Sequence, residues 1–128
     1  MKVIVTNIKE PGVLEKERVV MRVEEDCELG RYILIRARAN SKNLVGGVID
    51  GYWLPNSKVK TGDLVVLYTK VGKSKTKDTA ENKTHFVYWG KDEAIWGSPQ
   101  FGAAVGLFTD WKSYRIGGFD SEMDVESD

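Results

Sequence analysis

The chain has 128 residues, of which 41% are hydrophobic and 30% are charged, and its 19 basic residues balance 19 acidic ones. Length and composition are those of one soluble globular domain. A single cysteine excludes an internal disulfide, and no run approaches the roughly 20 apolar residues of a membrane helix. The apolar patch in "MKVIVTNI" is too short for a secretory signal, so we expect a cytoplasmic protein that does not enter a membrane.

The zero net charge is divided unevenly along the chain. Residues 119–128 carry five acids and no base, which leaves residues 1–118 with 19 bases against 14 acids, a formal charge of +5. We predict a folded domain over residues 1–118, followed by an acidic, disordered tail that aids solubility. The alternative is that the tail imitates a phosphate strand and rests on, or competes for, a basic face.

Short runs rich in β-branched and aromatic residues dominate the chain, and several alternate apolar with polar positions as half-buried strands do. In chain order these runs are "KVIVTNI", "RVVMRVE", "RYILIRARA", "LVGGVIDGYWLP", "DLVVLYTKV", "THFVYW", "AAVGLF" and "SYRIGGF". The fourth run is expected to hold a pair of strands with Gly46 and Gly47 at a turn or bulge. The fifth has the apolar character of a central strand that is buried on both faces.

Turn residues such as Pro11-Gly12 and Thr61-Gly62-Asp63 separate these runs, and no window keeps the apolar period of a helix. Parallel neighbours need long crossover connections, so closely spaced strands without helices favour antiparallel pairing. The sequence therefore predicts an all-β antiparallel sandwich or barrel in a single domain.

The stretch "THFVYW" places aromatic residues on both faces of one strand. Alternation puts Phe86 and Tyr88 on one side and His85, Val87 and Trp89 on the other. Two sheets packed about 10 Å apart need bulky residues between them. We therefore expect Trp89 to fill the core rather than to serve as a ligand platform.

Trp96 lies farther along, in "KDEAIWG", beyond a charged turn and beside Gly97. Core packing is the favoured interpretation for this residue as well. Exposure is easier at such a position, so Trp96 also remains a candidate contact for a ligand or partner.

One long polar segment interrupts the strands. Residues 70–84, "KVGKSKTKDTAENKT", hold five lysines against two acids and are interpreted as a solvated loop. An alternative is that its lysines form a basic strip with arginines of the "RYILIRARA" run, beside aromatic rings that stack on a base. The candidate contacts are Lys73, Lys75, Lys77, Arg36, Arg38 and Trp96, and the candidate stacking rings are Tyr68, Tyr88 and Trp96.

Catalytic constellations are not evident. His85 is the only histidine, Ser98 lacks the G-x-S-x-G elbow, and the acids around Cys27 disfavour its thiolate. His85 is therefore expected to be satisfied by a neighbouring residue. "EEDCE" lacks the spacing of a calcium loop, and "VGKSKTK" lacks the upstream glycine of a phosphate-binding loop. We predict no catalytic residue, no cofactor and no metal site.

Four segments in this order resemble the lamin-tail domain: "GRYILIRARANSKNLVGGVIDGYW", "KVKTGDLVVLYTKVG", "FVYWGKDEAIWG" and "AAVGLFTDWKSYRI". The matching pieces are residues 31–37, 60–68, 96–97 and 104–116, and the resemblance covers residues 1–118. The chain departs from the family pattern where Gly51-Tyr52-Trp53 replaces a Gly-Trp pair, and in its longer lysine-rich segment. It looks most like the small stand-alone bacterial members.

This resemblance implies an immunoglobulin-like antiparallel β-sandwich that acts as a scaffold or recognition module, with no common catalytic residues. The leading hypothesis is thus a non-enzymatic module that binds an unidentified protein partner through loops or an edge strand, as a monomer or homodimer. The alternative is weak binding of a nucleotide or single-stranded nucleic acid through residues 70–83 and nearby aromatics.

Overall fold

The computed structural model describes residues 1–117, which fold almost entirely into strands. Within this range no helix is long and apolar enough to cross a membrane, and the helical element found is a 3-10 turn at Leu29–Arg31. The strands are β1 Val3–Lys9, β2 Arg18–Val23, β3 Cys27–Glu28, β4 Tyr32–Ala39, β5 Leu44–Trp53, β6 Lys58–Val59, β7 Leu64–Tyr68, β8 Lys75–Asp78, β9 Lys83–Tyr88 and β10 Phe101–Leu107.

These strands form two main sheets and a short ribbon. The larger sheet has the order β1-β2-β7-β9-β8, the smaller has the order β10-β4-β5, and β3 pairs with β6. Met21 and Leu67 from the larger sheet meet Tyr32 and Leu34 from the smaller one in a common core. The fold is therefore an all-β sandwich, as predicted.

The alternation in the sequence explains which side chains enter this core. Val19, Met21 and Val23 are buried at every second position of β2, whereas Arg22 is exposed between them. β7 lies in the middle of the larger sheet and buries three consecutive residues, which agrees with its apolar sequence.

One strand pair departs from the expected antiparallel pattern. β7 pairs with β9 in parallel, while β8 pairs with β9 antiparallel. The chain leaves β7, forms β8 two positions away, and returns as β9 in the gap between them. β8 therefore connects the parallel strands β7 and β9, a role that usually falls to a helix.

Residues 75–78 form the edge strand β8, so the interpretation of residues 70–84 as one loop is wrong for this part. Lys75 lies opposite Phe86, and Lys77 lies opposite Thr84. Lysines suit an outer edge because their charge discourages another chain from pairing there.

β5 is one continuous strand rather than a pair. Gly46 and Gly47 have φ angles of +89° and +66° and lie where the register between β4 and β5 shifts. Glycine adopts such angles without strain, so these residues form the bulge that the sequence allowed.

The last predicted strand, "SYRIGGF", is not found over residues 113–117. The remainder of that run and the predicted acidic tail at 119–128 lie outside the described residues.

A buried carboxylate ties three connecting segments together. Glu17 is 0% exposed and accepts hydrogen bonds from the backbone N–H groups of Gly12 and Ile95, both at 2.8 Å, and Trp96 at 3.3 Å. The hydroxyl of Thr69 donates a further bond of 2.6 Å. These bonds fix the segments before β2, after β7 and after β9 relative to one another.

Candidate functional site

Three aromatic rings stack against one another on the outer face of the larger sheet. Leu67 and Val87 enter the core, so Tyr68 on β7 and Phe86 and Tyr88 on β9 face outward. The ring centroid of Tyr68 is 5.5 Å from that of Tyr88 and 6.4 Å from that of Phe86, with interplanar angles of 14° and 30°. The predicted division of the "THFVYW" side chains between the two faces is confirmed.

Basic side chains lie over two of these rings, Tyr68 and Phe86. The Lys70 ammonium is 5.2 Å and the Arg18 guanidinium 5.8 Å from the Tyr68 ring centroid, and the Lys75 ammonium is 5.8 Å from that of Phe86. Lys77 follows two positions after Lys75 and projects to the same side. We call this surface the aromatic–lysine face, and its members are Arg18, Tyr68, Lys70, Lys75, Lys77, Phe86 and Tyr88.

The segment between β7 and β8 borders this face. A Cβ atom on Gly72 would lie 2.4 Å from a ring carbon of Tyr88, so the backbone passes directly against the ring. Backbone hydrogen bonds from Gly90 to Lys70 at 3.2 Å and from Lys91 to Thr69 at 2.9 Å anchor the start of this segment. The backbone at Lys70 is thus fixed beside the end of β9.

The electrostatics of the face are those of an open basic surface. Lys75 and Lys77 are exposed. The Glu15 carboxylate is 3.6 Å from the Lys70 ammonium, but its side chain is 75% exposed, so this pair is weak. The positive potential of the face therefore remains available to an anionic ligand.

The structure divides the predicted contact residues between different places. Lys75 and Lys77 lie on the aromatic–lysine face, and Lys73 is exposed in the segment just before β8. Arg36 and Arg38 lie on β4, in the other sheet, so the basic groups of the two runs are not joined in one strip.

Arg36 is engaged within the fold. Its Nε is 3.4 Å from an Asp50 carboxylate oxygen, its Nη1 donates to the carbonyl oxygen of Ile95 at 3.1 Å, and its guanidinium lies 4.7 Å from the Phe101 ring centroid. Arg38 is exposed, and its side chain runs beside Gly47. Arg36 therefore supports the packing of the smaller sheet.

Trp96 packs in the core, as the favoured interpretation predicted, whereas Trp89 packs against the core and is only partly buried. Trp96 is only 5% exposed, and Trp89 is partly buried with its ring 6.3 Å from Trp96 and 5.9 Å from Tyr52. Trp96 is more buried than Trp89, although its place in the sequence made exposure easier for Trp96. The reason is that hydrogen bonds to Glu17 hold residues 95–96 inward. Trp96 therefore presents no open ring to a ligand.

His85 is satisfied by a neighbour, as expected. Its Nε2 lies 2.9 Å from Oδ2 of Asp63, and the backbone N–H of Lys60 donates to the same oxygen at 3.1 Å. The backbone N–H of Lys83 donates to the other carboxylate oxygen, Oδ1, at 3.0 Å. Burial raises the pKa of Asp63, but the hydrogen bonds, that of His85 foremost, outweigh it and bring the pKa below its ordinary value. The pair joins the turn before β7 to β9 itself.

Cys27 is partly buried on β3, and burial raises the pKa of its thiol, with smaller contributions from Asp26 and Glu25. The acids around Cys27 therefore act in the expected direction, although burial is the larger cause. Within residues 1–117 no group of three or more His, Cys, Asp or Glu side chains is arranged to hold a metal ion.

Comparison of the whole chain with models of known protein families and with curated proteins finds no match.

Two functional features escaped sequence reasoning. Arg18 joins the aromatic–lysine face from β2, which only the pairing of Arg18 with Tyr68 could reveal. Glu17 is indistinguishable in "LEKERVV" from its exposed neighbour Glu15.

Proposed function

We propose that the protein is a binding module for single-stranded nucleic acid or nucleotides, and that the aromatic–lysine face is its binding surface. One observation carries the proposal: three stacked rings lie on the outer face of a sheet, and lysine and arginine groups lie over two of them, Tyr68 and Phe86. Sheets that display aromatic rings beside basic groups are a common way to hold unpaired bases.

The arrangement permits an exchange of contacts on binding. At an exposed site a cation over a ring contributes about 0.5–1 kcal/mol, whereas a base stacked on a ring contributes about 1–3 kcal/mol. A phosphate draws Lys70 or Lys75 from its ring, and a base takes the vacated position. The lysine then pairs with a phosphate and the ring stacks on a base. Both contacts are stronger than the cation–ring contact they replace, so the exchange favours the bound state.

Single strands fit this surface better than duplexes because only unpaired bases expose a face for stacking. Lys70, Lys75 and Lys77 supply three phosphate contacts. For single strands the logarithm of the binding constant falls with the logarithm of salt concentration by about 0.7 per contact, so a slope of about −2 is expected.

Fluorescence anisotropy with an oligothymidylate and an oligouridylate of about 10 nucleotides tests this proposal. Replacing Lys75 and Lys77 with Glu should weaken binding by at least about tenfold and flatten the salt dependence. The matched control replaces Lys42 and Lys112, which are exposed elsewhere, with Glu. Equal losses in both double variants would show a nonspecific charge effect and contradict the proposal.

The aromatic contribution is tested separately with Phe86→Leu, which keeps an apolar side chain but removes the ring. Loss of base stacking should weaken binding by about tenfold without changing the salt slope. Unchanged affinity in this variant would mean that charge attraction is the sole source of binding, and it would reject the stacking role of the face.

A second proposal is recognition of a protein partner through the edge of β5, in keeping with the resemblance to the immunoglobulin-like lamin-tail domain. Leu44, Val45, Val48 and Ile49 on this strand are 38%, 55%, 62% and 39% exposed. Exposed apolar edge strands invite the addition of an extended segment. Either proposal describes a module that binds without turnover.

Co-purification from the native host tests this second proposal, with Val48→Lys as the edge variant. Val13→Lys is the matched control, because Val13 is 45% exposed in the segment before β2. A partner retained by both variants would place recognition away from β5.

A further inference from the structure

The smaller sheet has an outer face that lacks charged side chains. Leu34 and Val105 point into the core, so the alternate residues of β4 and β10 face outward. A Cβ atom on Gly51 would lie 3.3 Å and 3.5 Å from methyl carbons of Ile33 and Ile35, which puts Gly51 on the same side. We call this surface the apolar sheet face, and its members are Ile33, Ile35, Gly51, Trp53, Ala104 and Gly106. Ala37 and Gly102 point to the same side, but Ala37 is only 2% exposed and the Leu44 side chain lies over Gly102.

This face has a definite relief. All outward residues of β10 are small, whereas β4 presents Ile33 and Ile35 as a ridge directly beside them. Gly106 lies next to Ile33 in the sheet, and a Cβ atom there would meet no atom within 4 Å. The open trough beside the isoleucine ridge is therefore formed by Ala104 and Gly106, and Leu44 closes it at Gly102.

An aromatic cluster stands at one end of the ridge. The Trp53 ring centroid is 5.3 Å from that of Trp111 and 6.2 Å from that of Phe108, and these rings are 48%, 47% and 38% exposed. The Trp53 indole N–H donates to the carbonyl oxygen of Gly30 at 2.6 Å, which fixes its orientation. The cluster extends the apolar surface beyond the sheet.

The size of this surface matches a protein interface. Three strands about 4.8 Å apart, paired over the seven residues of β10 at about 3.3 Å per residue, give a face of roughly 15 by 23 Å. That is about half of the roughly 800 Å² that each partner contributes to a standard interface. The exposed parts of Phe108 and Trp111 add to this area. Contiguous apolar patches above a few hundred Å² mark interaction sites.

We propose that a second copy of this chain covers the apolar sheet face, in a two-fold dimer. A two-fold interface must be self-complementary, and a ridge next to a trough meets that condition. The symmetry sets the isoleucine ridge of each copy into the glycine and alanine trough of the other, so both sheets reach the roughly 10 Å spacing of packed sheets. A nucleic acid finds no cation among the members of this face.

Sedimentation analysis of the full chain over about 1–100 μM tests the proposal, with a dimer expected at the upper end. Gly106→Glu places a charge in the trough. Because the position is open and has no left-handed backbone angle, the monomer accommodates it. Burying an unpaired carboxylate should weaken the dimer by at least about tenfold. Gly106→Ala is the matched control and should remain dimeric.

Ala104→Lys, in the same trough, provides an independent variant. If the wild type is monomeric at the highest concentration, the proposal is overturned. This holds both for a face that stays bare and for one that the chain's own residues cover. Dimers that persist in both charged variants also overturn it, since their contact lies elsewhere. The oligonucleotide assay distinguishes this result from a failure of the proposed function.

Discussion

The Glu17 carboxylate accepts a hydrogen bond of 2.6 Å from the Thr69 hydroxyl, and both residues are fully buried although 52 positions separate them. Glu17 lies just before β2, and Thr69 lies just after β7. Since β2 and β7 are neighbours in the larger sheet, this bond closes the end of the sheet at which the aromatic–lysine face is built. Its integrity therefore affects both folding and the candidate site.

Replacing Glu17 with Gln should lower the free energy of unfolding by about 2–4 kcal/mol. The carboxylate accepts four hydrogen bonds, and an amide NH₂ would point its own hydrogens at some of those donors. Urea denaturation measures the change. Glu15→Gln, at an exposed position of the same segment, is the control and should change stability by less than about 0.5 kcal/mol. Equal stability of both variants would show that the buried carboxylate contributes little.

Asp63 should make stability depend on pH in the acid range. Its folded pKa lies below the ordinary value of 3.8, because hydrogen bonds from His85, Lys60 and Lys83 outweigh the effect of burial. Its contribution is therefore fully present above the unfolded pKa and is lost as the pH falls through the folded pKa. Asp63→Asn should be less stable than the wild type at neutral pH.

Thermal melts between about pH 2 and pH 7 check this prediction. The difference between wild type and Asp63→Asn should shrink below the unfolded pKa of Asp63. Asp92→Asn, at an exposed position, serves as the control. A difference that stays constant across the whole range would mean that Asp63 does not stabilise the fold through its charge.

Trp96→Ala should cost about 3–5 kcal/mol of unfolding free energy, as expected for a large side chain removed from a core. Trp89→Ala should cost less, because Trp89 is only partly buried and its outer face contacts the Lys91 ammonium at 5.1 Å from the ring centroid. Chemical denaturation of the two variants gives the comparison. The opposite order would place the main aromatic anchor at Trp89.

Gly72→Ala should displace the segment that borders the aromatic–lysine face. The added Cβ would lie 2.4 Å from the Tyr88 ring, so either the ring or the backbone must move, at a cost of about 1–3 kcal/mol. Tyrosine fluorescence and oligonucleotide affinity should both change. Gly106→Ala adds the same atom in open space and should leave both signals unaltered. If neither variant changes the fluorescence or the affinity, the segment at Gly72 accommodates the added methyl group without disturbing the aromatic–lysine face.

Local pattern predicted much of the larger sheet. Alternation in "THFVYW" separated Phe86 and Tyr88 from Val87 and Trp89, and the apolar run at 64–67 indicated a central strand. The same logic failed for residues 75–78, where an alternating lysine strand has the composition of a loop. It also failed for residues 113–117, where the apolar residues do not form a strand.

The sequence by itself determined that this protein is all-β, where most of its strands lie and which way their side chains divide, because alternation acts between adjacent residues. Tertiary structure alone decided that β9 returns beside β7 in parallel, that Arg18 joins Lys70 and Lys75 over one set of rings, and that Arg36 belongs to the other sheet. It also decided that Glu17 is buried while Glu15 is not. Strand partners and buried hydrogen bonds depend on residues far apart in the chain, and no local pattern encodes which of them will meet.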